Sequence, residues 1–249
     1  MDNLFLHSFI IAVILNSIFY FIAYKWQTDK FTDMTYSLTF IAISMYGFLN
    51  SNQGLVQLIT MLLICSWAIR LGSYLLKRIH SMGRDNRFDD IRPYPLKFLG
   101  FWIMQTITCF IVSIPAIYIY KDLTTEVGFS FYAGIALAII GLTVESVADY
   151  QKYQFKKIKP NQFMNQGLWS RLRHPNYTGE IMFWTGIAIA SISISSAWIS
   201  LISPLWISFI LIKFSGIPIL DQKWEANYGN SPSFQAYKAS SWKLFPLIY

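Results

Sequence analysis

The chain has 249 residues, of which 54% are hydrophobic, 18% aromatic and only 13% charged, with a formal net charge of +7. A soluble domain carries roughly 25% charged residues, and the deficit coincides with apolar runs of spanning length. A soluble fold is therefore excluded and an all-α integral membrane protein is expected. The basic residues crowd between apolar segments, which reads as membrane orientation, with room for a phosphate site, and not as a nucleic-acid surface.

Seven transmembrane helices are predicted, over residues 4–24, 34–49, 55–76, 98–120, 128–150, 178–196 and 198–220. The second is short, and the last two nearly touch, so a tight hairpin at 195–198 is implied. Asp2 stands where a secretory leader would carry its basic residues, and no cleavable leader is expected. Lys77, Arg78, Arg84, Arg87, Arg92 and Lys97 lie between spans three and four, and Lys152, Lys156, Lys157, Lys159, Arg171 and Arg173 between five and six. Lys223, Lys238 and Lys243 follow span seven, whereas residues 50–54, 121–127 and 195–198 hold Lys121 alone. Seven spans bring all the rich loops to one face. The positive-inside rule then puts the N-terminus outside and the C-terminus in the cytoplasm. With no repeat and no linker, residues 1–249 read as a single membrane domain.

Cys65 and Cys109 fall inside apolar runs and read as packing residues, not a disulfide framework. His7, His80 and His174 lack metal-ligand spacing, so no metal site is expected.

Charged groups within spans usually face a cavity or a partner. Arg70 lies about 15 residues, or roughly 22 Å, into the third span. Trp67, Arg70, Tyr74 and Lys77 share a helix face there, as do Glu145, Asp149, Lys152 and Lys156 on the fifth. Glu180 opens the sixth span, and Lys213 and Asp221 approach the end of the seventh. Snorkelling accounts for Lys77, Lys152 and Lys213. It accounts poorly for Glu145, Asp149 and Glu180, whose side chains are short. A cytoplasm-facing pocket of mixed charge follows, suited to a ligand with phosphates, hydroxyls and amides.

The densest polar run is Gly167-Leu168-Trp169-Ser170-Arg171-Leu172-Arg173-His174-Pro175-Asn176-Tyr177-Thr178-Gly179-Glu180. Pro175 suits the first position of a helix, and Asn176 and Glu180, four apart, share its face. The helix start, preceded by Arg171, Arg173 and His174, suits an anion such as a phosphate. The bland alternative is a basic loop that only fixes orientation. No Gly-rich dinucleotide turn, phosphate loop or nucleophile elbow occurs, so in an enzyme a bound cofactor would carry the chemistry.

The run Arg173-His174-Pro175-Asn176-Tyr177-x-Gly179-Glu180 after Gly167-Leu168-Trp169, with Glu145-x-x-x-Asp149-x-Gln151-Lys152 upstream, resembles the bacterial branch of the steroid 5-alpha-reductase family. That branch is often classed only as a domain of unknown function, 1295. Trp67-Ala68-x-Arg70-Leu71-x-x-Tyr74-Leu75, Arg84-Asp85-x-Arg87-Phe88 and Ser215-Gly216-Ile217-Pro218 with the Tyr237 region agree, and the likeness covers about residue 33 to the C-terminus.

The resemblance implies an NADPH-dependent oxidoreductase of CH–CH groups in the bilayer, acting on a hydrophobic enone that enters from the lipid, with no obligate protein partner. Hydride would pass to the β-carbon of a double bond conjugated to a carbonyl. It implies a cofactor pocket mainly from residues 67–249, with Glu145, Asp149, Asn176, Tyr177 and Glu180 on NADPH. Arg70, Tyr74, Arg84, Arg87, Lys156 and Asp221 would assist, and Arg173 and His174 would serve the phosphates or hold the loop. Asp33 occupies the position of an acid that polarises the substrate carbonyl, and needs a raised pKa to donate its proton. Trp67 stands where the steroid-reducing members carry a tyrosine, and Tyr36, one turn after Asp33, is its substitute. Glu145 replaces an asparagine of the animal enzymes, and an arginine expected near Gln162 is absent.

Two other readings compete. A membrane methyltransferase of the isoprenylcysteine type, using S-adenosylmethionine, would share the Arg-His-Pro loop and Glu180, but needs neither seven spans nor the Glu145/Asp149 stripe. A non-catalytic transporter or receptor would show polar residues through the full membrane depth. The membrane is the bacterial inner membrane or the endoplasmic reticulum, according to source.

Overall fold

The structure, a computed structural model, describes residues 3–82, 88–123 and 127–246. Their regular secondary structure is helical, with no strand among them. In chain order the helices are α1 (Leu4–Lys25), α2 (Thr32–Leu49), α3 (Leu55–Met82), α4 (Pro95–Lys121), α5 (Phe129–Ile158), α6 (Pro175–Ser195), α7 (Ile202–Phe209), α8 (Ile217–Tyr228) and α9 (Pro232–Ser240). Six segments are long and apolar enough to cross a membrane: α1, the run 55–79 of α3, α4, α5, α6, and the stretch from Trp198 to Tyr228. The predicted second span corresponds to α2, which falls below that measure. It has 18 residues, about 27 Å of helix by the rise per residue, and carries Thr32, Asp33, Thr35, Ser37, Thr39 and Ser44. At the place of the predicted hairpin the chain turns after α6, with Ser196 at φ 54° and Ser191 Oγ 2.8 Å from Ser200 Oγ.

The predicted seventh span is interrupted. A π turn over Ile210–Phe214, closed by Ser215 N–H on the Ile210 carbonyl at 2.9 Å, ends the α7 run, and α8 restarts after Gly216 with Pro218 in its first turn. Proline has no N–H to lose there.

The chain divides into two compact units, residues 1–132 with 187–203, and residues 133–186 with 204–249. In the first, α2 packs on α1, α3 and α4. Its core holds an aromatic group of Tyr20, Phe98 and Trp102 and an aliphatic one of Leu4, Ile43 and Ile117. Hydroxyls on α2 bond back to their own helix, Thr35 to the Phe31 carbonyl and Thr39 to that of Thr35, both at 2.7 Å. Asn16 donates to the Ala12 carbonyl and to Thr39 Oγ1 and accepts from Gln105 Nε2, so this buried centre is closed on itself. The second unit is cored by Ala148, Phe155, Met164, Trp169, Trp224, Phe234 and Tyr237.

Candidate functional site

Within the second unit, α5 and α6 run antiparallel and touch backbone to backbone. A Cβ added at Gly179 would lie 2.5 Å from Glu145 N and 2.6 Å from the Gly141 carbonyl; one at Gly141 would lie 2.5 Å from Phe183 N. Small residues permit such approach, the usual device for helices in membranes. This contact sets Glu145 against the start of α6, one residue from Glu180. One further turn of the same register brings Asn176 opposite Ala148 and Asp149. Glu145, Asp149 and Glu180 are buried at 2%, 4% and 8% exposure.

The segment before α6 is fastened to α5. Gly167 takes φ +59°, where a Cβ would be strained and would meet the Gln151 amide at about 2.5 Å. Leu168 N–H then donates to Gln151 Oε1 and the Trp169 indole N–H to the Ala148 carbonyl, both at 2.9 Å. Lys152 Nζ sits 4.7 Å above the Trp169 ring, a cation–π contact. Tyr237 O–H donates to the Trp169 carbonyl at 2.6 Å; its phenol is pushed up to about 12 by burial, so it remains a donor.

The other end of the segment is bound to the C-terminal tail. Leu172 forms an isolated parallel bridge with Trp242. Arg173 Nη1 donates to the Lys238 and Ser241 carbonyls, both at 2.8 Å, and His174 N–H to the Lys243 carbonyl at 3.0 Å. Thr178 Oγ1 donates to the Leu244 carbonyl at 2.8 Å.

His174 is fully buried. Its ring lies between Tyr177, at 5.6 Å and 9°, and Trp224, at 5.8 Å and 22°. Nε2 is 3.2 Å from Asp221 Oδ1, and Asp221 Oδ2 is 3.3 Å from Lys243 Nζ. Burial lowers the imidazole pKa, against the opposing pull of Asp221, so the ring is neutral at pH 7. Neutral imidazole carries one N–H, and Asp221 fixes it on Nε2. Nδ1 is then an acceptor. It and the nearby Asn176 Oδ1 are buried without a hydrogen-bond partner among the described residues.

Residues 19–241 match the family described as a protein of unknown function, DUF1295. The chain belongs to that family. No curated protein and no solved structure matches this DUF1295 protein.

Of the residues singled out from the sequence, Glu145, Asp149, Arg173, His174, Asn176, Tyr177, Glu180 and Asp221 all belong to the second unit. Lys156 lies on the same helix but turns to its own loop, donating to the Pro160 and Gln162 carbonyls at 3.0 and 2.6 Å. Arg84 and Arg87 lie outside the described residues. Asp33, Tyr36, Trp67, Arg70 and Tyr74 belong to the first unit. Tyr36 meets the buried Trp67 edge-on at 6.3 Å. Asp33 is one-third exposed and paired with Arg78 at 3.4 Å, so the hydrogen-bond donor at that position is the guanidinium. Arg78 was missed. Its signal was the spacing Trp67, Arg70, Tyr74, Arg78 on one face, which the neighbouring Lys77 obscures. Trp224 and Lys243 were missed too, because only the folded tail brings them to His174. No group of three or more potential metal ligands occurs among the described residues.

Proposed function

We propose that this protein is an NADPH-dependent membrane reductase of a steroid-like or other lipidic enone, the activity implied by its likeness to the steroid 5-alpha-reductases. One observation carries the reading. Glu145, Asp149, Asn176 and Glu180 are buried or half-buried along the seam of α5 and the start of α6, with His174 just before it, and Asn176 Oδ1 and His174 Nδ1 have no hydrogen-bond partner among the described residues. A buried acceptor left unsatisfied costs about 1–3 kcal/mol. Ribose hydroxyls and a carboxamide supply the donors that such atoms need, so the acceptors present fit the cofactor. Glu145, Asp149, Asn176 and Glu180 hold those groups, and Arg171 provides a cation for the phosphates. When bound, NADPH supplies the hydride that adds to the β-carbon. Arg78, oriented by Asp33, and Tyr36 donate hydrogen bonds to the carbonyl oxygen of the enone and stabilise the enolate charge.

We assign seven crossings to the chain. Short connections join α2 to α1 and to α3, and α2 packs on both, which makes antiparallel hairpins. If α1 and α3 cross, α2 crosses between them. The basic loops then face the cytoplasm, with the N-terminus outside and the C-terminus inside.

The test is binding of NADPH to the detergent-purified protein by nicotinamide fluorescence, with NADH and S-adenosylmethionine as controls. Saturable NADPH binding, lost in Glu180→Ala and Asp149→Ala, is expected. Binding of S-adenosylmethionine instead would move the chain to the methyltransferases, and binding of neither would overturn the reading. Replacing Asp33 by Asn should lower turnover and leave NADPH affinity nearly unchanged; equal loss of both would remove Asp33 from the carbonyl site.

A further inference from the structure

The polar atoms around the start of α6 differ in sign from what a phosphate site requires. A phosphate needs donors and positive charge. Arg173, the nearest cation in sequence, has Nη1 on two carbonyls of the C-terminal tail. His174 offers an acceptor. Its Nε2–H is directed to Asp221, its faces are covered by Tyr177 and Trp224, and its one remaining polar atom is a buried lone pair. Asn176, two residues on, presents a second buried acceptor, Oδ1.

We propose that His174 is a neutral hydrogen-bond acceptor for an N–H or O–H group of the bound cofactor, held as the Nε2–H tautomer by Asp221, and not a cationic phosphate ligand. The proposal rests on the NADPH reading and deepens it. Nδ1 takes the amide or hydroxyl donor, and Asn176 Oδ1 takes a second donor. Asp221 does not touch the cofactor. It is a positioning residue that fixes which nitrogen carries the proton, and Lys243 holds its other oxygen. Two parts of the cofactor carry suitable donors, the carboxamide of the nicotinamide half and the amino or ribose hydroxyl groups of the adenosine half.

The chain has three histidines, so a protein labelled with nitrogen-15 in histidine alone gives three imidazole signals. His174→Gln assigns one of them. In detergent at pH 7 the His174 ring should show a protonated Nε2 and an unprotonated Nδ1. Saturation with NADPH, followed in parallel by nicotinamide fluorescence, should move the Nδ1 resonance and leave the tautomer unchanged. Adding the reduced nicotinamide mononucleotide and adenosine 2′,5′-bisphosphate separately tells which half supplies the donor. Asp221→Asn should broaden or mix the tautomers, an effect that a purely structural role would not produce. His174→Phe keeps the stack between Tyr177 and Trp224 but removes the acceptor, and should weaken NADPH roughly tenfold. His174→Gln, which restores an acceptor oxygen, should recover part of that loss.

A doubly protonated ring, an Nδ1–H tautomer, or saturable fluorescence with an unmoved Nδ1 resonance would overturn the proposal and leave the nicotinamide reading intact. Absence of saturable NADPH binding would overturn both.

Discussion

The buried polar centre of the first unit and that of the second are built from similar residue types and differ in what they leave open. Around Asn16 the amide, Thr39 and Gln105 bond to one another and to helix carbonyls. Such a centre acts as glue between helices. Around His174 the backbone and Arg173 are equally well bonded, but two acceptors within three residues have no partner among the described residues. The first unit also contains isolated unpartnered atoms, at Ser8, Gln57 and Trp102, yet these stand on three different helices. Buried polarity that closes on itself is architecture. Buried polarity that stays open along one turn is the better guide to a ligand.

The largest effect should come from the seam that gathers the second centre. In Gly179→Leu the new side chain would meet the backbone of Glu145 and Gly141, and no rotamer relieves contacts that begin at Cβ. Little monodisperse protein should be recovered on size exclusion in detergent. Gly179→Ala introduces the same clash in its smallest form, at about 2 kcal/mol, and should lower the melting temperature by about 5 °C. An alanine variant that melts with the wild type would dissolve the seam as the organiser of the site.

Arg173→Ala comes next. Two charge-assisted bonds to the tail are lost, roughly 3 kcal/mol in all. Hydrogen exchange should rise over residues 238–244 and NADPH affinity should fall indirectly. Unaltered exchange in the tail, with affinity lost, would return Arg173 to the phosphates. Asn16→Leu tests the other side of the comparison. It leaves Gln105 and Thr39 short of a partner, costs about 1–2 kcal/mol, and should not alter NADPH affinity. Lost affinity without lost stability would show that the first centre is not mere glue.

Helices and their polar faces were legible in the sequence because period and composition are local properties. Glu145 and Asp149 on one face, Pro175 opening α6 and Glu180 four residues beyond Asn176 all follow from spacing. The partners of those residues were not legible. Lys152 and Lys156 share the carboxylate face, but Trp169 and the carbonyls of 160 and 162 claim them, and only the folded loop brings these near. Arg173 was legible as part of the site but not as the anchor of a tail some 65 residues later. The π turn at 210–214 lies in a run, Ile-Leu-Ile-Lys-Phe, whose composition is that of any spanning helix. Its one local sign was Gly216 followed by Pro218.

The smallest effect is the pH dependence that His174 contributes to stability. The groups that act on its ring are Asp221 from α8, Lys152 from α5 and the adjacent Arg173, and the flanking rings are Tyr177 and Trp224. Its folded pKa lies below the ordinary value of about 6.5. Between the folded and unfolded pKa values the unfolded chain holds more protons than the folded one, so stability rises with pH across that window. The contribution is complete above about pH 6.5 and is lost as the pH falls toward the folded pKa. Melting in detergent between pH 5 and 8 should therefore show a decline on the acid side that is reduced in His174→Gln. Saturating NADPH should steepen the decline in the wild type, because a ligand that donates to Nδ1 lowers the folded pKa further. A decline that NADPH flattens would mean that the ligand favours the imidazolium, and His174 would then be the phosphate's partner after all.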